Sequence, residues 1–107
     1  MRSGEDFRVT VRRGAKAVRP TLVTHVVLTS GPDAGPTSVG FVVSRSVGSA
    51  VDRNRVKRRL RHLMRTRMSD VPDGSRIVIR ALPSARDATS ASLADDLDQT
   101  LRRAGAR

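Results

Sequence analysis

Residues 39–65 read VGFVVSRSVGSAVDRNRVKRRLRHLMR, and the fold turns on how this stretch is divided. Val39, Phe41 and Val43 fall on one face of an extended segment, Ser38–Ser44. A turn containing Gly48 follows. Ser49 and Asp52 then have the spacing of a capping box, the signature of a helix start. Beyond them Val56, Leu60, Leu63, Met64 and Met68 recur at helical spacing, so one stripe of the helix is apolar and packs on a sheet. Asn54, Lys57, Arg58, Arg61 and Arg65 fall on another sector, turned to solvent or to a ligand. The reading is a buried strand, a turn, and a helix that carries a row of cations.

Working outward, TLVTHVVLT (Thr21–Thr29) is β-branched and bounded by Pro20 and by the turn cluster Gly31-Pro32-Asp33-Ala34-Gly35-Pro36. It stands at hairpin distance from Ser38–Ser44, which predicts an antiparallel pair. A third strand, RIVIRAL (Arg76–Leu82), lies between Pro72-Asp73-Gly74 and Pro83. Ser92 and Asp95 suggest a second capping box. Leu93, Leu97, Leu101 and Ala104 continue it as a helix, with Asp95 and Asp96 early and Arg102 and Arg103 late, in keeping with the macrodipole. The N-terminus is ambiguous. Phe7, Val9 and Val11 alternate like a strand, whereas Ser3 with Asp6 resembles a cap and Gly14 a helix stop. No repeat, low-complexity tract or long linker divides the chain, so residues 1–107 are expected to form one domain.

Charge is the strongest compositional signal. Twenty-one Lys+Arg oppose ten Asp+Glu, giving +11, which attracts a polyanion before any specific contact forms. Between Arg45 and Arg67 nine basic residues face only Asp52, so most of the excess sits in the segment that contains the central helix. A merely solubilising face is a poor explanation of so dense a cluster, because self-repulsion opposes it. All the basic residues except Lys16 and Lys57 are Arg, whose planar fork grips a phosphate with two parallel hydrogen bonds. Asn54, an amide between two arginines, can read a base edge or bond a sugar. The chain has no Cys, which excludes disulfides and thiolate metal sites. No apolar run approaches a membrane span and no signal peptide is visible, so a cytoplasmic location is expected. Asp95, Asp96 and Asp98 read as a solvated helix face rather than a metal cluster, His62 as a residue without chemistry, and Phe41 as core.

The central string resembles the signature of the bacterial ribonuclease P protein family. The match runs through Val39-Gly40, Val43-Ser44, Arg45, Val47-Gly48, Ala50-Val51 and Arg53-Asn54-Arg55-Val56-Lys57-Arg58 to Arg61. Glu5-Asp6-Phe7-Arg8 with Gly14 resembles the family's first helix, and Ile77-Val78-Ile79-Arg80-Ala81 its last strand. The resemblance implies an α+β fold: a single-domain α/β sandwich ordered helix–strands–helix–strand–helix. It also implies a left-handed βαβ crossover, against the general preference for the right hand, and it favours helix at the N-terminus.

It further implies a protein subunit that cleaves no bond. The partner is the catalytic RNA, which binds magnesium and hydrolyses precursor tRNA; no tight metal on the protein, no membrane and no DNA are expected. Carried over by motif, Arg53, Asn54, Arg55, Lys57, Arg58 and Arg61 would contact that RNA, with Arg45 beside them and Arg65 added on helical geometry. Phe7, Val11 and His25 would line a cleft for the 5′ leader. Val11 replaces a second aromatic and His25 stands where many members carry Tyr, so the stacking surface is reduced. The resemblance leads one to expect a basic segment before the first helix, where this sequence offers Met1-Arg2-Ser3. The competing readings are a ribosomal or assembly protein, a DNA-binding protein and an RNA-independent nuclease. The first would lack the R-N-R string with its flanks, the second predicts a helix-turn-helix or a dimer seam, and the third lacks candidate metal ligands.

Overall fold

The computed structural model describes residues 14–28 and 35–105. The expected N-terminal helix, with Phe7 and Val11, lies outside these residues. The described chain is α+β. Strands β1 (Ala15–Val18), β2 (Leu22–Val27) and β3 (Ser38–Val42) are followed by helix α1 (Ala50–Arg65), strand β4 (Arg76–Ala81) and helix α2 (Ser90–Arg103). Short 3-10 turns at Arg45–Val47, Met68–Asp70 and Pro83–Arg86 connect them.

The sheet order is β1-β2-β4-β3. β2 pairs antiparallel with β1 and with β4, while β3 runs parallel to β4 with α1 as the crossover between them. The expected antiparallel pairing of the second and third strands is therefore wrong. Burial explains why. β2 and β4 bury side chains on both faces, Val23 and Val78 on one and Leu22, Ile77 and Ile79 on the other. Strands of that kind belong in the middle of a sheet. β3 contains Gly40 and is only half-buried throughout, as suits an edge. β1, which the sequence reading did not propose, is the opposite edge: four residues, with Ala17 turned into the core and Lys16 turned out.

Both helices contribute to one core. Val56, Leu60 and Met64 of α1 and Leu93, Leu97 and Leu101 of α2 meet Leu22, Val26, Ile77 and Ile79 of the sheet. Each such aliphatic side chain contributes about 1.5–3 kcal/mol. Val39, Phe41 and Val43 pack against its edge, as their shared face predicted. Within the core, Thr24 Oγ1 donates to Thr100 Oγ1 at 2.8 Å, and Thr100 Oγ1 donates onward to Leu97 O at 3.0 Å, so the buried hydroxyls are satisfied.

Two expectations about α2 are corrected. The helix begins at Ser90 with Thr89 as its cap, and Thr89 Oγ1 accepts from Ser92 N at 3.0 Å. Asp95, freed from capping, accepts from Gln99 Nε2 at 2.9 Å. Nor do the three aspartates form a solvated face. Asp96 is buried and accepts from Thr21 Oγ1 at 2.6 Å, Thr21 N at 3.1 Å and Arg19 Nε at 3.2 Å, which fastens α2 to the β1–β2 turn. Asp98 is half-buried and pairs with Arg67.

Candidate nucleic-acid interface

α1 opens with the predicted capping box. Ser49 Oγ accepts from Asp52 N at 3.2 Å, and Asp52 Oδ2 accepts from Ser49 N at 3.2 Å. The Ser49 hydroxyl, which donates to Asp52 Oδ2 at 3.0 Å, and the Ser49 N–H, with the nearby Arg55 and Arg86 guanidinium groups, hold the Asp52 carboxyl below its ordinary range. Gly48 precedes the box at φ 153°, and a Cβ there would stand 2.7 Å from Asp52 Oδ2 and 3.1 Å from Arg86 Cδ. Glycine is needed for the close approach as well as for the backbone angle.

From this start the helix sorts its basic residues. Asn54, Arg58, Arg61 and Arg65 are exposed and follow the i, i+4, i+7, i+11 spacing of one line, about 16 Å long at 1.5 Å per residue. Lys57 is half-buried at its flank. Arg55 is exposed about a quarter-turn from the line, 3.4 Å from Asp52, and Arg45 is exposed in the preceding turn. Arg53 differs from its neighbours. It sits three residues before Val56 and seven before Leu60, on the side of the apolar stripe, and its Nε is buried without a hydrogen-bond partner. The solvent side of α1 carries no acidic residue apart from Asp52 at its first turn.

His25 stands elsewhere. Together with Lys16, Val78 and Gly40 it forms a row across the sheet on the face opposite the two helices. It is buried and its Nδ1 has no hydrogen-bond partner. Burial pushes its pKa down and the charges of Lys16 and Arg80 push it further, so the ring is neutral at pH 7. The structure thus brings the α1 residues together and leaves His25 on a separate surface. Exposed Lys16 and Arg80 flank that surface. Sequence reading missed both as site residues, although Arg76, Val78 and Arg80 alternate in RIVIRAL.

The profile of the family described as Ribonuclease P matches residues 1–105. The chain belongs to the ribonuclease P protein family. It is 54% identical over 109 residues to the ribonuclease P protein component of Streptomyces avermitilis, covering 96% of this chain and 89% of that one. The component from a Nocardioides species is 51% identical, with 99% and 91% covered, and that of Mycobacterium avium 45% identical, with 96% and 88% covered. The fold agrees with solved structures. The Staphylococcus aureus RNase P protein superposes with a TM-score of 0.85 at 23% identity, over 99% of this chain and 94% of that one. The Thermotoga maritima RNase P protein gives 0.77 at 21% identity, over 92% and 91%.

Two arginines of this ribonuclease P protein act as fasteners. Arg59 Nη1 donates to Ala88 O at 3.2 Å. Arg67 grips Asp98 with two bonds, Nε to Oδ1 at 2.7 Å and Nη2 to Oδ2 at 3.2 Å, and donates from Nη1 to Leu63 O at 2.8 Å. Its bond to Asp98 raises the Arg67 pKa further. Arg67→Ala is therefore expected to lower stability by about 1–3 kcal/mol in urea unfolding, since it removes a half-buried bidentate pair. Any effect on RNA affinity should leave the salt dependence as it was; a flatter dependence would place Arg67 on the RNA side instead.

Proposed function

We propose that this chain is the RNA-gripping subunit of a ribonuclease P ribonucleoprotein that removes the 5′ leader of precursor tRNA. The observation that carries the reading is the exposed line of Asn54, Arg58, Arg61 and Arg65, uninterrupted by any carboxylate. Membership of the ribonuclease P family supports it. The four side chains would engage the backbone of the folded RNA subunit by charge and by shape, with Arg45, Arg53, Arg55 and Lys57 at its margins. Asn54 adds a neutral donor and acceptor for a sugar or a base edge.

The leader of precursor tRNA would lie on the other surface, where the exposed Lys16 and Arg80 attract phosphates beside the neutral His25 ring. Phe7 and Val11 are proposed for the same surface on the strength of the family motif. Hydrolysis is assigned to the RNA. Among the described residues no three His, Asp or Glu side chains come together as metal ligands. Asp52, Asp96 and Asp98 are already held by protein donors. Magnesium bound by the RNA would supply activation of water and stabilisation of the leaving oxygen. The protein would hold the two polyanions together and screen their repulsion. No helix among the described residues is long and apolar enough to cross a membrane, and we assign the particle to the cytoplasm.

Reconstitution tests the reading. Purified protein mixed with a bacterial ribonuclease P RNA at low magnesium should stimulate 5′ cleavage of precursor tRNA, and protein alone should leave the substrate intact. Cleavage by protein alone, or no stimulation at any protein concentration, would overturn it.

A further inference from the structure

The 3-10 turn Pro83–Arg86 follows β4 and brings a cation to the start of α1 from a distant part of the sequence. Arg86 Cδ lies so close to Gly48 that a Cβ on that glycine would stand 3.1 Å from it. Its methylenes therefore run along the notch between Gly48 and the first turn of α1. The turn Arg45–Val47 and α1 itself pack against Pro83–Arg86. The segment just beyond is tied down as well, because Arg59 Nη1 donates to Ala88 O at 3.2 Å. Arg86 is thus held at its base by well-packed neighbours.

Its charged end is another matter. The Arg86 side chain is 48% exposed and its ion-pair partner, Asp87 at 3.4 Å, is 80% exposed. A pair so open to water holds the guanidinium weakly. The other carboxylate in its neighbourhood, Asp52, already accepts from Ser49 and Arg55. The guanidinium is available to an incoming anion at the N-terminal end of α1, near Gly48 and Asp52.

We propose that Arg86 is a further RNA-backbone contact, one that extends the α1 surface past the helix N-terminus onto the segment after β4. The inference rests on the reading of α1 as the surface for the ribonuclease P RNA. That RNA is the ligand, and a phosphate of its backbone is the group that Arg86 would hold.

The test measures the affinity of full-length protein for a bacterial ribonuclease P RNA across a series of salt concentrations. Loss of one phosphate contact flattens the log–log slope by about 0.7–0.9, and at near-physiological salt weakens binding roughly fivefold. Arg86→Gln should show both effects, and Arg86→Lys, which keeps the charge, should retain most of the slope. Arg102→Gln, an exposed cation in the last turn of α2, should change neither. A wild-type slope for Arg86→Gln would overturn the inference while leaving the α1 reading intact. So would an equal loss for Arg102→Gln, which would reduce the effect to overall charge. If wild-type protein does not bind this RNA, the parent reading falls and takes the inference with it.

Discussion

Asp96→Ala is expected to lower the melting temperature by roughly 12–24 °C, the largest stability effect of any single polar substitution proposed for this chain. Asp96 is 5% exposed and accepts three hydrogen bonds from the β1–β2 turn. Removing it strands the Thr21 N–H and hydroxyl away from water and leaves Arg19 without its counterion. Truncating one member of a buried charged network costs about 3 kcal/mol or more, and a domain of this size shifts by about 4–8 °C per kcal/mol. A shift below about 3 °C would show that the network contributes little.

The same carboxyl predicts a pH dependence. Burial alone would raise its pKa, but the hydrogen bonds from Thr21 and Arg19 outweigh that and bring it below the usual value. The folded state then binds this proton less readily than the unfolded state. Its contribution is complete above the ordinary carboxylate pKa and is lost as the pH falls through that value toward the folded one. Urea midpoints of the wild type should therefore drop as the pH is lowered below about 5, and Asp96→Asn should flatten the curve in that window. Parallel curves for the two proteins would assign the acid sensitivity to other groups.

The second large effect concerns binding. Replacing Arg58, Arg61 and Arg65 together with Ala should weaken the complex with ribonuclease P RNA about 100-fold near physiological salt and flatten the log–log slope by about 2–2.7. All three are exposed, so the melting temperature should change little. Arg59→Ala and Arg67→Ala reverse the pattern, with stability lost and slope kept. A triple variant that binds with the wild-type slope would remove the α1 line from the interface.

That contrast also shows what sequence could and could not reveal. Ser49, Asp52 and the Val56–Leu60–Met64 stripe are local signals, and both the cap and the buried face of α1 were legible from them. The outward line was legible for the same reason, since helical spacing puts Asn54, Arg58, Arg61 and Arg65 on one side. Which arginines are fasteners was not. Arg59 and Arg67 find Ala88 O and Asp98 on segments far along the chain, and no spacing rule connects them. Asp96 was misread because its burial depends on Thr21, and Arg86 went unnoticed because only the fold carries it to α1. Strand pairing failed where nearness in sequence was taken as nearness in the sheet. The better cue was RIVIRA itself, apolar on successive residues and so fit for the interior. AKAV was passed over because two alanines and a lysine make a weak strand signal.

The position of β4 bears on how the chain is built. Its two neighbours, β2 and β3, both precede it and do not pair with each other. As synthesis proceeds from the N-terminus, β1 and β2 can form their hairpin at once. β3 waits for a partner until Ala81 has emerged, and the Asp96 clasp comes later still. During that interval the cationic helix is already made while the sheet beneath it is incomplete.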